Sequence, residues 1–361
     1  MPSTELLEAA RRVMIFCNAC RYCEGFCAVF PAMERRRTFS DGDLAYLSNL
    51  CHDCRGCYYA CPYAPPHAYD VNVPRSLAEL RGATYRDHAW PHFLSGLFRR
   101  NGLTMAMVSV LSVVVVLVLT FLLQDPATVL ASHGEGRFFA VIAQWPMVLT
   151  ASLVALFGVV ALFMGFIGFW RGVGGHLGEL ADPRALARAV WHVLTLRYLA
   201  GGGDGCNYPE ERFSHARRWF HQSVLYGFLL CFASTVVAAV YDHFLGRPVP
   251  FPYLSWPVVL GTLGGVALVA GTAGLLWLKS RRDPEPSAAP LMGMDVGFLV
   301  LLLATGLTGL LLLALRETAA MGVLLAVHLG VVLALFLTLP YGKFVHAIYR
   351  FAALVRFALG K

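Results

Sequence analysis

Cys17-Asn-Ala-Cys20-Arg-Tyr-Cys23-Glu-Gly-Phe-Cys27 is followed further along by Cys51-His-Asp-Cys54-Arg-Gly-Cys57-Tyr-Tyr-Ala-Cys61-Pro62. Each run sets three thiols two residues apart and adds a fourth after three more. A structural zinc site takes its four ligands as two separated pairs, so three closely spaced thiols suit zinc poorly. Disulfides suit the pattern no better. The first thirty residues carry Glu5, Glu8, Arg11 and Arg12 and no apolar run of the kind that directs export, so no oxidising compartment is expected. Closely spaced thiolates of this number are the ligand pattern of iron–sulfur clusters.

The doubled run resembles that of bacterial ferredoxins, in which three cysteines hold one cluster and the fourth crosses to the other. The resemblance implies two [4Fe-4S] clusters with crossed ligand sets: Cys17, Cys20, Cys23 and Cys61 for one, and Cys51, Cys54, Cys57 and Cys27 for the second. Ala28 stands where the pattern has a proline after the fourth cysteine. Between the runs, Ser40 with Asp43 reads as a helix cap, and Leu44, Leu47 and Leu50 follow on one face. Cys206 and Cys231 lie outside both runs and read as free structural thiols.

Beyond the head the composition changes. Hydrophobic residues make up 57% of the chain and charged residues 14%, well below the roughly 25% charged of soluble domains. Six apolar runs, at 103–123, 146–169, 219–241, 256–278, 293–315 and 319–339, are each long enough to cross a hydrocarbon core of about 30 Å. The expected architecture is mainly α: residues 1–92 form a ferredoxin-like head, and residues 93–361 a six-span membrane bundle. Lys and Arg concentrate in alternate connections, with seven in 170–218, three in 279–292 and four from Tyr341 onward. The other three connections hold Arg137, Arg247 and Arg316 alone. By the positive-inside rule, both termini and the cysteine head are expected on the cytoplasmic side of a bacterial-type inner membrane. The net charge of +7 therefore reads as membrane orientation, with no nucleic-acid partner expected. Within 170–218, Asp182-Pro183 reads as the start of a short helix lying on the inner membrane surface. Gly261, Gly265, Gly271 and Gly274 in the fourth span read as close helix packing.

Histidines within or beside spans are the next signal. His221 and His346 fall at the inner side, while His243 and His328 fall toward the outer side. The absence of Cys-x-x-Cys-His excludes covalently attached haem, and paired imidazoles suit b-type haem. The stretch from His328 through Pro340-Tyr-Gly-Lys343 to His346 resembles the last span of the dihaem cytochrome b subunit of respiratory nitrate reductases, with the same 18-residue separation. In the partner span of that family two histidines are ligands; here His221 matches the first, and Cys231 stands at the second. The resemblance implies one haem on His221 and His346. For a second haem, His328 would need a new partner, for which His243 is the candidate. Arg217, Arg218 and Lys343 are candidate partners of haem propionates or lipid headgroups. His176, His192 and His215 read as surface residues.

Nearly the whole chain resembles the tricarballylate-utilisation protein B family, also called citrate-utilisation protein B. The likeness rests on the cysteine runs, Gly201-Gly-Gly-Asp-Gly-Cys206-Asn-Tyr-Pro209, Arg217-Arg218 with His221, Tyr226-Gly227-Phe228, and Pro252-Tyr253. It implies an electron-transfer subunit that reoxidises a soluble FAD-dependent dehydrogenase, tricarballylate dehydrogenase, and delivers electrons to membrane quinone. No dinucleotide fingerprint opens a βαβ unit, so flavin is expected on the partner. Two other readings stay open: a quinol-oxidising anchor feeding a soluble reductase, and an iron–sulfur redox sensor or transporter.

Overall fold

The computed structural model describes residues 3–134 and 137–361. The head holds α1 (Thr4–Cys20), α2 (Val29–Glu34), α3 (Asp41–Leu50), α4 (Gly56–Tyr59) and α5 (Val73–Asp87). The expected cap before α3 is present. Ser40 Oγ accepts from Asp43 N at 3.2 Å, and Asp43 Oδ2 accepts from Ser40 N at 3.1 Å. Two backbone donors that lack helical partners are thereby satisfied. Leu44, Leu47 and Leu50 then point into the head core. α5 starts on Asn72, whose side chain accepts from Arg75 N.

The rest of the chain forms α6 (Asn101–Leu123), α7 (Pro126–Val129), α8 (Gln144–Gly172), α9 (Pro183–Leu194), α10 (Ala216–Ala239), α11 (Trp256–Ser280), α12 (Met292–Ala314), α13 (Met321–Thr338) and α14 (Val345–Ala358). A two-stranded antiparallel ribbon, β1 (Cys206–Asn207) with β2 (Phe213–Ser214), lies between α9 and α10. Six helical segments are long and apolar enough to cross a membrane: Asn101–Leu123, Gln144–Gly172, Ala216–Phe244, Trp256–Ser280, Ala289–Ala314 and Met321–Tyr341. The protein is therefore a multi-pass membrane protein. Several helices run a few residues past the apolar stretches, as at Arg171 and Arg217, because backbone hydrogen bonding continues where hydropathy falls. Leu111, Leu122, Leu123, Val159 and Phe163 point outward and exposed. Water would penalise such a surface, whereas lipid covers it.

Without a hydrophobic force between helices in lipid, close approach depends on small residues. A Cβ on Gly227 would stand 2.7 Å from Leu268 N, and one on Gly264 would stand 2.8 Å from Cys231 N. α10 and α11 thus pack backbone to backbone, with Cys231 in their interface. Gly271 likewise lies against the backbone of Phe220. Packing accounts for the glycines of the fourth span.

The head does not close its core alone. Phe169 and Trp170 at the end of α8, and Tyr349, Ala352 and Val355 of α14, share one core with Met14, Phe30, Leu44 and Leu47. All three Lys/Arg-rich connections meet the head. Asn207 N donates to Cys54 O at 3.0 Å, Asn72 Nδ2 to Glu285 O at 2.9 Å, and Arg350 Nη2 to Cys51 O at 2.8 Å. The sparsely charged connections meet at the far end, where Arg316 Nη1 donates to Phe251 O. Asp182 caps α9 as expected, its Oδ1 accepting from Arg184 N and Ala185 N. Trp191 of α9 is exposed and Ala189 is buried.

Candidate functional site

The two cysteine runs interleave. Cys17 has Cys20, Cys23 and Cys61 as its charge-bearing neighbours, and Cys23 has Cys20 and Cys61. Cys27 faces Cys51 first and then Cys23, and Cys57 faces Cys54, Cys27 and Cys51 and then Cys23, so Cys23 stands where the two groups touch. An outer group of Cys17, Cys20, Cys23 and Cys61 therefore adjoins an inner group of Cys27, Cys51, Cys54 and Cys57. In both runs the residue after the second cysteine turns left-handed, Arg21 at φ 56° and Arg55 at φ 65°. Such a turn costs a side-chain-bearing residue roughly 1–2 kcal/mol, and it folds each run back so that its sulfurs face one another.

A cavity opens among Cys17, Cys20, Cys23, Cys57 and Cys61, with Phe30 in its wall. Among the described residues no three His, Cys, Asp or Glu side chains close to the spacing of one metal ion's ligands. A four-iron core places one cysteine on each iron, so its sulfurs stand further apart than the ligands of a single ion. Burial first, and then neighbouring sulfurs, push the thiols of Cys17, Cys23 and Cys27 up to about 12. Thiolates at these positions need cations held between them, and cluster iron supplies that charge. All ten cysteines are free, and the donor sets fit iron–sulfur clusters.

The inner group is wrapped in arginine. Arg81 Nη1 donates to Cys51 O at 2.7 Å and to Ser48 O at 3.1 Å. Arg350 donates to the same Cys51 carbonyl and to Asn49 O, and Arg217 donates to Asp53 O. Arg55 Nη2 donates to Ser287 Oγ at 2.7 Å. Tyr208 lies between two of these cations, its ring centre 4.5 Å from the Arg55 guanidinium and 4.7 Å from that of Arg217. Arg55 and Arg81 are only 2% and 5% exposed, and their Nε atoms carry no hydrogen bond. Among the described residues, Asp53 is the one carboxylate in ion-pair contact with the four, at 3.9 Å from Arg55 and 4.0 Å from Arg217.

His221 of α10 and His346 of α14 meet just beyond this shell. Their ring centres are 6.1 Å apart with the planes at 78°. Metal–imidazole bonds are about 2 Å long, so rings at this separation could both ligate one metal. Burial, and then the charges of Arg350 and Lys343, hold His346 well below the usual histidine range. Its Nδ1 lies 2.6 Å from Lys343 O. A neutral imidazole donating there leaves the Nε2 lone pair free, which is the ligand tautomer. His221 Nδ1 is buried without a partner. Lys343 is itself fixed by Asp295, which lies 2.7 Å from Lys343 Nζ and 2.6 Å from Lys279 Nζ.

Comparison with known proteins adds the lineage. Residues 10–89 match the model of the citrate utilization protein B Fer4-like domain, and residues 96–361 match that of citrate utilization protein B. The citrate utilization protein B of Escherichia coli is 46% identical over 359 residues, covering 99% of this chain and 93% of the relative. The chain belongs to the citrate utilization protein B family. No solved structure matches it. Membership of the citrate utilization protein B family, with its Fer4-like domain, makes an iron–sulfur electron-transfer role the coarse functional reading.

Against that family frame, the remaining expected residues separate. His328 Nδ1 lies 2.9 Å from Thr308 Oγ1, and His243 sits half-exposed beside Asp242 at 3.6 Å. The structure brings neither to the other. The three basic residues expected to face propionates or lipid have partners within the chain: Arg217 on Asp53, Arg218 on Thr195 O, and Lys343 on Asp295. His192, expected at the surface, is buried with its ring against Tyr198. Cys206, without an expected partner, lies buried beside Cys54 and donates to Leu199 O at 3.1 Å. Arg55, Arg81 and Arg350 carried no signal in sequence, since lone arginines in a head or a tail resemble any solvated charge.

Proposed function

We propose that this chain takes electrons from a reduced, soluble FAD-dependent dehydrogenase on the cytoplasmic side and delivers them to membrane quinone. Cys17, Cys20, Cys23 and Cys61 would hold one [4Fe-4S] cluster, Cys27, Cys51, Cys54 and Cys57 the other, and His221 with His346 a b-type haem. Bound there, these groups supply one-electron carriers between two two-electron partners, a division of labour the protein serves by ligation and burial. The observation that supports the reading is the succession of two thiol groups and one imidazole pair, linked by shared arginines. Cys20 of the outer thiols is exposed; the inner thiols adjoin the outer ones; and Arg350, which donates to Cys51 O, also acts on both imidazoles.

The residues explain how such a line is held. Arg81 and Arg350 fix the Cys51 carbonyl, Arg217 fixes that of Asp53, and the Asn207 amide fixes that of Cys54. The inner loop is thereby tied to α5, α14, α10 and β1 at once. Asp295 fixes Lys343, whose carbonyl orients His346. The Escherichia coli relative is named for citrate utilization; for this chain the proposed electron source is the dehydrogenase of a related tricarboxylate, tricarballylate. His328 on Thr308 and His243 beside Asp242 favour one haem over two.

Reduced-minus-oxidised spectra, with haem and iron quantified on purified protein, test the proposal. Wild type should carry one b-type haem and about eight further iron atoms. His221→Ala and His346→Ala should each lose the haem and keep the cluster iron. Full haem content in both variants would refute the ligand pair, and four or fewer cluster irons in wild type would refute the two-cluster head.

A further inference from the structure

The charge around the two thiol groups is unequal, and the inequality has a direction. Four thiolates on a four-iron core leave a net charge of about −2 when oxidised and about −3 after one electron is added. Buried positive charge favours the more negative state, and so raises the reduction potential. Around the inner group stand Arg55, Arg81, Arg217 and Arg350, with Asp53 as the one carboxylate in contact among the described residues. Arg55 and Arg81 are almost wholly buried, and Arg81 has no carboxylate in ion-pair contact among the described residues; a buried cation without a counterion is costly. An anion of charge −2 or −3 among them resolves that imbalance. The outer run itself carries Arg21 and Glu24, and Arg12 lies over Phe16 in the wall of the outer cavity; all three are exposed and so screened by water and salt.

We infer that the Arg55–Arg81–Arg217–Arg350 shell sets the inner cluster at a higher reduction potential than the outer one, making the step from the exposed group toward the bilayer downhill. The inference rests on the two-cluster reading above and adds a direction to it. Electrons would come from a reduced flavin of the soluble partner, and the residues around each thiol group would hold a one-electron carrier, with no bond made or broken and no proton transferred. Two contacts make Arg350 and Arg81 the leading positioning residues: both donate to the carbonyl of Cys51, a ligand of the inner cluster. Arg350 comes from α14, beyond the last span. Its presence couples the tuning of the inner cluster to complete assembly of the membrane domain.

Potentiometric titration of the intact, detergent-solubilised protein, read by electron paramagnetic resonance, tests this. A water-soluble paramagnetic chelate broadens the signal of the solvent-near outer cluster and so assigns the two. Wild type should show two distinct midpoints with the shielded cluster the higher. Arg350→Gln should lower that midpoint and leave the other in place, while Arg350→Lys, which keeps the charge, should restore most of the shift. Arg81→Gln provides a second variant should Arg350→Gln assemble poorly. Equal midpoints, a higher outer midpoint, or an unshifted inner midpoint in an Arg→Gln variant that retains about eight iron atoms would overturn the inference. A wild-type protein lacking two cluster signals would instead overturn the two-cluster reading itself.

Discussion

Cys20 of the outer group is exposed and its neighbour Tyr22 is 66% exposed, whereas Cys54, at the matching place in the inner group, is buried beneath Cys206 and Asn207. The two runs have the same thiol spacing and the same left-handed arginine after the second cysteine. What separates them arrives from elsewhere in the chain. Arg217 starts α10, Ser287 lies between α11 and α12, and Arg350 belongs to α14. A repeated cysteine motif thus acquires two unlike surroundings, because the membrane domain folds back over Cys51 and Cys54 of one copy and leaves Cys20 of the other exposed. The outer site suits contact with a soluble partner, and the inner site suits a fixed, dry position next to the spans.

The largest expected effect breaks the comparison at its centre. Cys54→Ser should lose the inner cluster and leave Arg55, Arg81 and Arg217 around an empty pocket. Removing one side of a buried charge pairing costs about 3–5 kcal/mol, so iron content should fall by about four atoms together with a clear drop in the thermal midpoint. Cys20→Ser removes an exposed thiol proposed as a ligand, so iron should be lost from the outer cluster alone while the midpoint changes much less. Equal destabilisation by the two substitutions would show that the halves are equally integrated.

A smaller change sharpens the comparison from the inner side. Ser287 Oγ accepts from Arg55 Nη2 at 2.7 Å and donates to Asp283 O at 2.6 Å. Ser287→Ala leaves a buried guanidinium with one partner fewer, at a cost of about 1–3 kcal/mol. Thermal unfolding in detergent should show that loss with full iron content. An unchanged midpoint would mean that the seam between head and bundle contributes little.

Much of this arrangement was legible in sequence, and the remainder was not for a physical reason. The six spans, the capped helix after Ser40, the helix after Asp182 and the glycine packing of the fourth span all express local rules: apolar length, cap chemistry and side-chain size. The thiol runs were equally plain, because cluster ligation demands close cysteines. His221 and His346 stand out by position at the inner ends of spans and by the likeness to the nitrate reductase cytochrome b span, and the fold places their rings 6.1 Å apart. The arginine shell was invisible. Its members lie at 55, 81, 217 and 350, and nothing local distinguishes an arginine that will be buried against a cluster loop from one that faces water. His192 failed for the same reason, since α9 buries the face on which it sits. The ion pairs that occupy Arg217 and Lys343 also depend on tertiary contacts, with Asp53 and Asp295.

The smallest effect is expected from the outer side. Arg12 Nη2 donates to Tyr69 O at 3.0 Å, and its guanidinium lies 5.8 Å from the centre of the Phe16 ring. The contact resembles those of the inner shell in kind, an arginine fixing a backbone carbonyl beside a thiol loop. It differs in setting, because the pair is exposed and water replaces the lost hydrogen bond at once. Arg12→Gln should therefore change stability by no more than about 0.5 kcal/mol and leave iron content and both cluster midpoints in place. A loss comparable to that of Ser287→Ala would mean that backbone anchoring, rather than burial of charge, governs both halves, and the contrast between them would then rest on solvent access alone.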